Sequence, residues 1–289
     1  MKNIGFIGLG NMGKGMAINL SLSDYNLIGY DLNPNVFDDL SGKNISEGKN
    51  IEDVVKKSEV IITMLPDGPI VKEVWKQITN LAFENSIIID CSTIDVKTSL
   101  EIQKDALNKN LLTLDAPVSG GVMGANDGTL TFMVGGNKDT FDKMLPIFKL
   151  MGSKSVFCGA AGSGQATKLC NNMLLAITMI GVGESFNMAK NLQLDLNILY
   201  EVISTATGSC WSVNNYCPIE NVGPKSPADN KFLPGFSAKL MSKDLKLAVN
   251  AANQTNSNIK FGKKAEEMFT KMAEGVNAEK DFSAIIKEI

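Results

Sequence analysis

Asn3-Ile-Gly-Phe-Ile-Gly8-Leu-Gly10-Asn-Met-Gly13 opens the chain with a short apolar run that passes directly into glycines spaced G-x-G-x-x-G. The run reads as a strand and Met12 to Leu22 as a helix, so the glycines occupy a strand-to-helix turn. Gly8 permits the tight bend, Gly10 lets backbone approach a pyrophosphate, and Gly13 lets helix and strand pack closely. The helix start then offers amides and the positive end of its dipole to the phosphates. A second strand, Asn26-Leu-Ile-Gly-Tyr-Asp31, ends in an acid 18 residues after Gly13, where a carboxylate binds adenosine ribose hydroxyls. A glycine triplet alone also marks ordinary turns. With its strand, helix and acidic strand end it predicts a dinucleotide, NAD, held by Gly8, Leu9, Gly10, Asn11, Met12, Gly13 and Asp31.

Outward from this turn, short β-branched runs alternate with helical patterns. Further candidate strands are 60–65, 86–90, 111–115 and 129–134. Strands separated by helical spacers predict parallel βαβ units, six or seven strands in all. Leu65-Pro66 and Thr93 follow the third and fourth strands, at strand ends where a cofactor pocket is completed. After Gly159 the character changes. Residues 165–191 read as one long helix, with amphipathic helices at 196–204, 236–254 and 262–275. No strand is expected after Phe157, and the proline-bearing stretch 207–234 reads as a loop. The expected fold is α/β: an N-terminal Rossmann doubly wound, mostly parallel sheet (1–162), a long connecting helix (163–191) and an all-α C-terminal domain (192–289).

Composition narrows the chemistry. The chain has 289 residues, a formal net charge of −3 and no His. Its lysines alternate with Asp and Glu, so no basic stripe for nucleic acid is present. Without His, acid–base work falls to Lys, Asp, Glu, Tyr or Cys. The five cysteines form no C-x-x-C pair or metal-ligand spacing, so no metal is expected and the thiols should be free. Of all pairs, Cys210 and Cys217 are the disulfide alternative. The longest apolar stretch, from Met173 to Gly183 and itself broken by Thr178, is too short to span a bilayer. A cytoplasmic protein is expected, with no leader seen.

Two segments fit hydride-transfer chemistry, which must orient a substrate and move a proton on its oxygen. In Asp115-Ala-Pro-Val-Ser-Gly-Gly121, Ser119, Gly120 and Gly121 present a hydroxyl and backbone amides to an anion. A plain Gly-Gly turn is the alternative. In Gly162-Ser-Gly-Gln-Ala-Thr-Lys-Leu-Cys-Asn-Asn172, Lys168 and Asn172 share a helix face near its start. A lysine there opposes the helix dipole and asks for a reason: a partly desolvated amine can accept a proton. The alternative is an ordinary solvated lysine.

These segments, with Leu240-Met-Ser-Lys-Asp-Leu245, stand in the order and spacing of a family. The chain resembles the β-hydroxyacid dehydrogenases over essentially its full length. Thr131-Phe-Met-Val-Gly-Gly136, Gly208-Ser-Cys-Trp-Ser212 and Lys280-Asp-Phe-Ser283 resemble the 3-hydroxyisobutyrate branch of valine catabolism. The resemblance implies NAD-dependent oxidation of 3-hydroxyisobutyrate to methylmalonate semialdehyde with Lys168 as catalyst. It implies that Ser119, Gly120 and Gly121 hold the carboxylate and that Asn172 meets the substrate. It sets Lys243 near the cofactor with Asp244 beside it on the substrate side, and adds NAD contacts at Leu65, Pro66 and Thr93. Ile70 departs from the family, where a polar Asn is common. Val122, Met123, Trp211 and Phe236 are candidate walls around a methyl group. The competing readings are a reductase of tartronate or succinic semialdehyde, an imine reductase, and a non-catalytic dinucleotide module. A homodimer or homotetramer is expected, in the mitochondrial matrix if the chain is a processed eukaryotic form.

Overall fold

The computed structural model describes residues 2–289. Among them the chain divides into two compact units, the first ending at Lys168 and the second spanning Leu169–Ile289.

The first unit is a sheet wrapped by helices. In chain order it runs β1 (Asn3–Ile7), α1 (Asn11–Ser21), β2 (Asn26–Tyr30), β3 (Ile45–Glu47), α2 (Ile51–Lys56), β4 (Val60–Thr63) and α3 (Gly68–Leu81). Then follow β5 (Ile87–Asp90), α4 (Val96–Leu107), β6 (Leu112–Asp115), β7 (Val118–Ser119), α5 (Gly121–Asp127), β8 (Leu130–Gly136), α6 (Lys138–Met151) and β9 (Gly152–Gly159). The sheet order is β3-β2-β1-β4-β5-β6-β8-β7, with β9 paired to β8. From β3 to β6 every pairing is parallel, and β8 turns antiparallel to β6. Apolar runs such as Ile61-Ile62 and Ile87-Ile88-Ile89 fill both faces of the central strands, as a doubly covered parallel sheet requires.

Register decides where chemistry can happen. Ile7 pairs with Tyr30 and with Thr63, Thr63 with Asp90, and Asp90 with Asp115. The strands therefore end in one row, and the segments after Ile7, Tyr30, Thr63, Asp90 and Asp115 emerge along the same edge.

The expected mostly parallel sheet is found, with more strands than the sequence revealed. β9 pairs only with β8 and leaves most of its residues at least partly exposed. Polar Ser153, Lys154 and Ser155 precede Val156 and Phe157 in this edge strand without any alternation, which is why the pattern missed it.

The second unit is helical. Its elements are α7 (Ser163–Asn191), which begins in the first unit, α8 (Leu196–Thr205), α9 (Trp211–Asn214), α10 (Ala238–Gln254) and α11 (Lys260–Glu274). Among the described residues α7 alone is long and apolar enough to cross a bilayer by length and composition. Its Ala176, Met179 and Ile180 are instead packed with Met241, Leu245, Phe269 and Met272. Val182 and Phe186 join a second cluster with Val213, Cys217 and Val222.

That second cluster corrects the reading of 207–234 as a loop. The stretch contains α9 and a 3₁₀ turn at Pro227–Asn230, where Ser226 and Asp229 form a reciprocal capping box. Its buried side chains are separated by turns rather than set at helical or strand spacing, so periodicity could not reveal them.

Candidate active site

The glycine turn satisfies each geometric demand read from its sequence. Gly8 has φ +96°, and a Cβ there would lie 2.3 Å from the Met64 carbonyl oxygen. A Cβ on Gly13 would lie 1.9 Å from the Gly8 carbonyl oxygen. Gly10 differs, because a Cβ there would meet nothing within 4 Å. The protein's own packing does not demand glycine at position 10, whereas a pyrophosphate laid against the backbone would. Gly10 also caps α1 with no side-chain acceptor, and the first turn holds no acid. The leading amides of Asn11, Met12 and Gly13 are thus left for an anion. The chain fits a dinucleotide here.

Asp31 is tied into this turn. Its Oδ2 accepts the Leu9 N–H at 2.7 Å and its Oδ1 accepts the Asn33 N–H at 2.8 Å. Both oxygens keep lone pairs for further donors. The Leu9 side chain is buried in the core, so it can serve a cofactor only through its backbone, and Met12 packs partly into the same cluster.

The next two strand ends are linked. The Leu65 N–H donates to Ser92 Oγ at 2.8 Å, and Ser92 Oγ donates to Asp90 Oδ1 at 2.6 Å. Thr63 Oγ1 donates to the same Asp90 oxygen at 2.8 Å and accepts the Trp75 indole N–H at 3.1 Å. Asp90 Oδ2 is buried with no hydrogen-bond partner. Burial pushes the Asp90 carboxyl up to about 6, against the lowering pull of its Ser92 and Thr63 hydrogen bonds. Thr93 follows, half-buried, and Pro66 is exposed. Ile70 sits in the first turn of α3, where its N–H is capped by Asp67 at 3.0 Å. Ile70 supplies no polar side-chain group there.

Ser119 ends β7, paired with Thr131, and is half-buried. Gly120 and Gly121 have φ +137° and +63°, and α5 starts at Gly121. Two successive left-handed positions make glycine obligatory, and they open a helix start whose cap carries no side-chain bond.

Lys168 is only 7% exposed, which excludes the solvated alternative. Asn172, four residues along α7, is buried and donates from Nδ2 to Asp244 Oδ2 at 2.6 Å. Asn171 Nδ2 donates to Asn172 Oδ1 at 3.0 Å, so the amide orientation is fixed. Lys243 Nζ stands 3.7 Å from Asp244 Oδ1. Asn172, Lys243 and Asp244 are thus brought together in the second unit, while in the first the Leu9–Asp31 bond joins two cofactor candidates and the Leu65–Ser92 bond ties Leu65 to the residue before Thr93.

Of the candidate walls, Trp211 is half-exposed and stacks on Tyr216 with centroids 5.0 Å apart. Phe236 lies edge-on to Phe282 at 5.8 Å, while Met123 is largely exposed. Among the described residues no group of three metal-ligating side chains occurs. All five cysteines, including Cys210 and Cys217, are free.

Three buried residues were given no role by the sequence. Asp90 closes a strand like many others. Asp115 and Gln165 lie inside quoted motifs, but nothing in the spacing reveals their partners. Asp115 accepts Gly162 N–H at 2.8 Å, Gln165 N–H at 2.9 Å and Gln103 Nε2–H at 3.0 Å.

Residues 3–160 match the family of the NAD binding domain of 6-phosphogluconate dehydrogenase. Residues 162–289 match the family described as NAD-binding of NADP-dependent 3-hydroxyisobutyrate dehydrogenase. A probable 3-hydroxyisobutyrate dehydrogenase of Mycobacterium tuberculosis is 41% identical over 286 residues, covering 99% of this chain and 97% of the relative. The chain belongs to the 3-hydroxyisobutyrate dehydrogenase family. The human mitochondrial 3-hydroxyisobutyrate dehydrogenase is 40% identical over 287 residues, covering 98% of this chain and 85% of the relative. A solved 3-hydroxyisobutyrate dehydrogenase of M. tuberculosis with L-serine superposes with a TM-score of 0.95 at 41% identity, covering 100% of this chain and 99% of that one. The fold and the NAD-binding character expected from the sequence are those of the 3-hydroxyisobutyrate dehydrogenases.

Proposed function

We propose that the chain oxidises 3-hydroxyisobutyrate to methylmalonate semialdehyde with NAD, and that Lys168 is its acid–base catalyst. The observation that carries this is the burial of Lys168 in the first turns of α7, in a chain without His and about two-fifths identical to dehydrogenases of that name. Bound NAD supplies the hydride acceptor. The Lys168 amine takes the proton from the substrate hydroxyl and returns it in the reverse direction. Ser119 and the Gly120 and Gly121 amides hold the substrate carboxylate, a reading supported by the two successive positive-φ glycines at an uncapped helix start. Asn172, its orientation set by Asp244 and Asn171, offers its remaining N–H to the substrate oxygen. Asp31 accepts the ribose hydroxyls, and Leu65, Pro66, Thr93 and Lys243 complete the cofactor contacts.

The L-serine in the solved relative shares with 3-hydroxyisobutyrate a hydroxymethyl group on the carbon that bears the carboxylate, which supports a small β-hydroxy acid as substrate class. α8 buries none of its residues while exposing Ile198 and Val202, and this supports a homodimer or homotetramer in our reading. The free thiols fit a reducing compartment, the cytoplasm in this proposal.

Initial rates on 3-hydroxyisobutyrate, tartronate-series and four-carbon substrates, with NAD and with NADP, test the reading. 3-Hydroxyisobutyrate with NAD should give the highest kcat/KM. Lys168→Ala should fold, bind NAD and lose about 10²–10⁴-fold in kcat. A variant that keeps more than about a tenth of wild-type turnover, against that expectation, overturns Lys168 as the catalyst.

A further inference from the structure

We infer that Gln165 is a positioning residue for hydride transfer, holding the Thr93 loop and the Lys168 helix as one rigid frame. The inference rests on the roles proposed above for Thr93 and Lys168.

Gln165 is fully buried. Its side chain grips the two residues that flank Thr93. Nε2 donates to the Ser92 carbonyl at 2.7 Å, and Oε1 accepts the Ile94 N–H at 3.1 Å. Both bonds go to backbone, so they fix the path of the chain through Thr93 whatever side chain it carries. The Gln165 N–H is itself held by Asp115 Oδ2 at 2.9 Å. Gln165 therefore cannot shift without moving α7, and Lys168 lies one turn further along that helix.

The same frame reaches the preceding strand end. Ser92, whose carbonyl is held by Gln165, accepts the Leu65 N–H on its hydroxyl oxygen and donates its own hydroxyl hydrogen bond to Asp90. A single glutamine amide thus connects two proposed cofactor loops to the element bearing the proposed base. A neutral amide suits this task because it is donor and acceptor at once. A carboxylate offers only acceptors to the Ser92 carbonyl, and an apolar side chain offers neither.

The chemical reason for such a clamp is distance. Hydride transfer needs its reacting carbons about 3–3.5 Å apart and the proton acceptor in place at the same moment, and a displacement of about 1 Å costs on the order of a hundredfold in rate. Gln165 touches neither substrate nor cofactor in this proposal. It acts through Thr93 and Lys168.

The test compares wild type, Gln165→Met, Gln165→Glu and Lys168→Ala on the full chain, using the substrate that gives the highest kcat/KM in the panel above. Folding is followed by thermal melting and NAD binding by fluorescence. Gln165→Met keeps the volume and deletes both bonds. It should lower kcat at least about tenfold, leave KM for the hydroxy acid within about threefold, and raise the primary deuterium isotope effect on kcat, the pattern of lost transition-state alignment. A purely structural role would lower the melting temperature and leave the isotope effect unchanged. A folded Gln165→Met enzyme with kcat within about twofold of wild type and an unaltered isotope effect overturns the inference, because alignment is worth more than that.

Should Gln165→Met not fold, Gln165→Glu decides. Its acid form can still donate to Ser92 and its anion cannot, so its kcat relative to wild type should fall as pH rises. A constant ratio overturns the inference. Lys168→Ala separates the two levels. If it stays active, the underlying reading fails; if it is inactive while the Gln165 variants behave as wild type, only the clamp fails.

Discussion

Asp90 and Asp115 end neighbouring strands directly opposite one another, and each is 1% exposed. Their surroundings differ completely. Asp115 is met on both oxygens by three buried N–H donors, two of them backbone amides at the start of α7. Asp90 has all its donors on Oδ1, from Thr63 and Ser92, and its Oδ2 has no partner. Burial raises the Asp90 carboxyl to about 6. Equal burial therefore does not make equal carboxylates. Asp115 is built as a fixed acceptor that starts a helix, while Asp90 is half-built and keeps its proton up to about pH 6.

The largest effect that can break this comparison is at Asp115. Asp115→Ala should destabilise the protein by at least about 3 kcal/mol, since three buried donors lose their acceptor at roughly 1–3 kcal/mol each. Denaturant melts read this directly. A loss under about 1 kcal/mol would show that water or rearrangement serves those donors equally well.

Asp90 should reveal itself through pH. Because its native carboxyl is raised from the ordinary 3.8 to about 6, the folded state keeps a proton that the unfolded chain releases. The associated stability is complete below the ordinary value and is lost as pH rises through about 6, a change of about 3 kcal/mol. Asp90→Asn cannot titrate. The difference in unfolding free energy between wild type and Asp90→Asn should therefore fall by up to about 3 kcal/mol from pH 4 to pH 7. Parallel pH curves would show that burial does not raise the Asp90 carboxyl.

A third strand-end acid sharpens the contrast from outside the core. Asp31 holds two backbone donors but is half-exposed. Its replacement should matter mainly for cofactor choice. No Arg follows it, only Leu32, Asn33, Pro34 and Asn35. Wild type should prefer NAD to NADP by about a hundredfold in kcat/KM through like-charge repulsion of the 2′-phosphate. Asp31→Ser with Leu32→Arg should narrow or reverse that ratio. Equal use of both cofactors by wild type would remove Asp31 from the ribose.

What could be read from the sequence follows from how locally each residue is constrained. Gly8, Gly10 and Gly13 announce themselves because backbone geometry at a strand-to-helix turn dictates residue type. Asp31 is legible by its distance from them. Gly120 and Gly121 left a turn and an anion nest equally open, and only their φ values show the enforced bend. Lys168 stood out as an oddity at a helix start, but its burial is a tertiary fact. Asp90, Asp115 and Gln165 find partners far along the chain, and Gln165 reaches Ser92 across 73 positions. No local pattern records such a bond. β9 and the segment around α9 escaped for the related reason that their burial lacks a period.

The Leu9 N–H to Asp31 bond constrains how this enzyme can change over generations. The proposed ribose reader is also the acceptor that secures the first residue after Gly8 in the turn. A single substitution at position 31 that removes the acceptor oxygen along with the charge also releases that amide, so a lineage taking that route toward the phosphorylated cofactor loosens its pyrophosphate cradle before any new affinity arises. Asn, which retains an oxygen at the same reach, is the passable first step, and a cation at position 32 has value only after it. Cofactor preference in this chain is an inherited trait guarded by its neighbour, and its drift should run in that order.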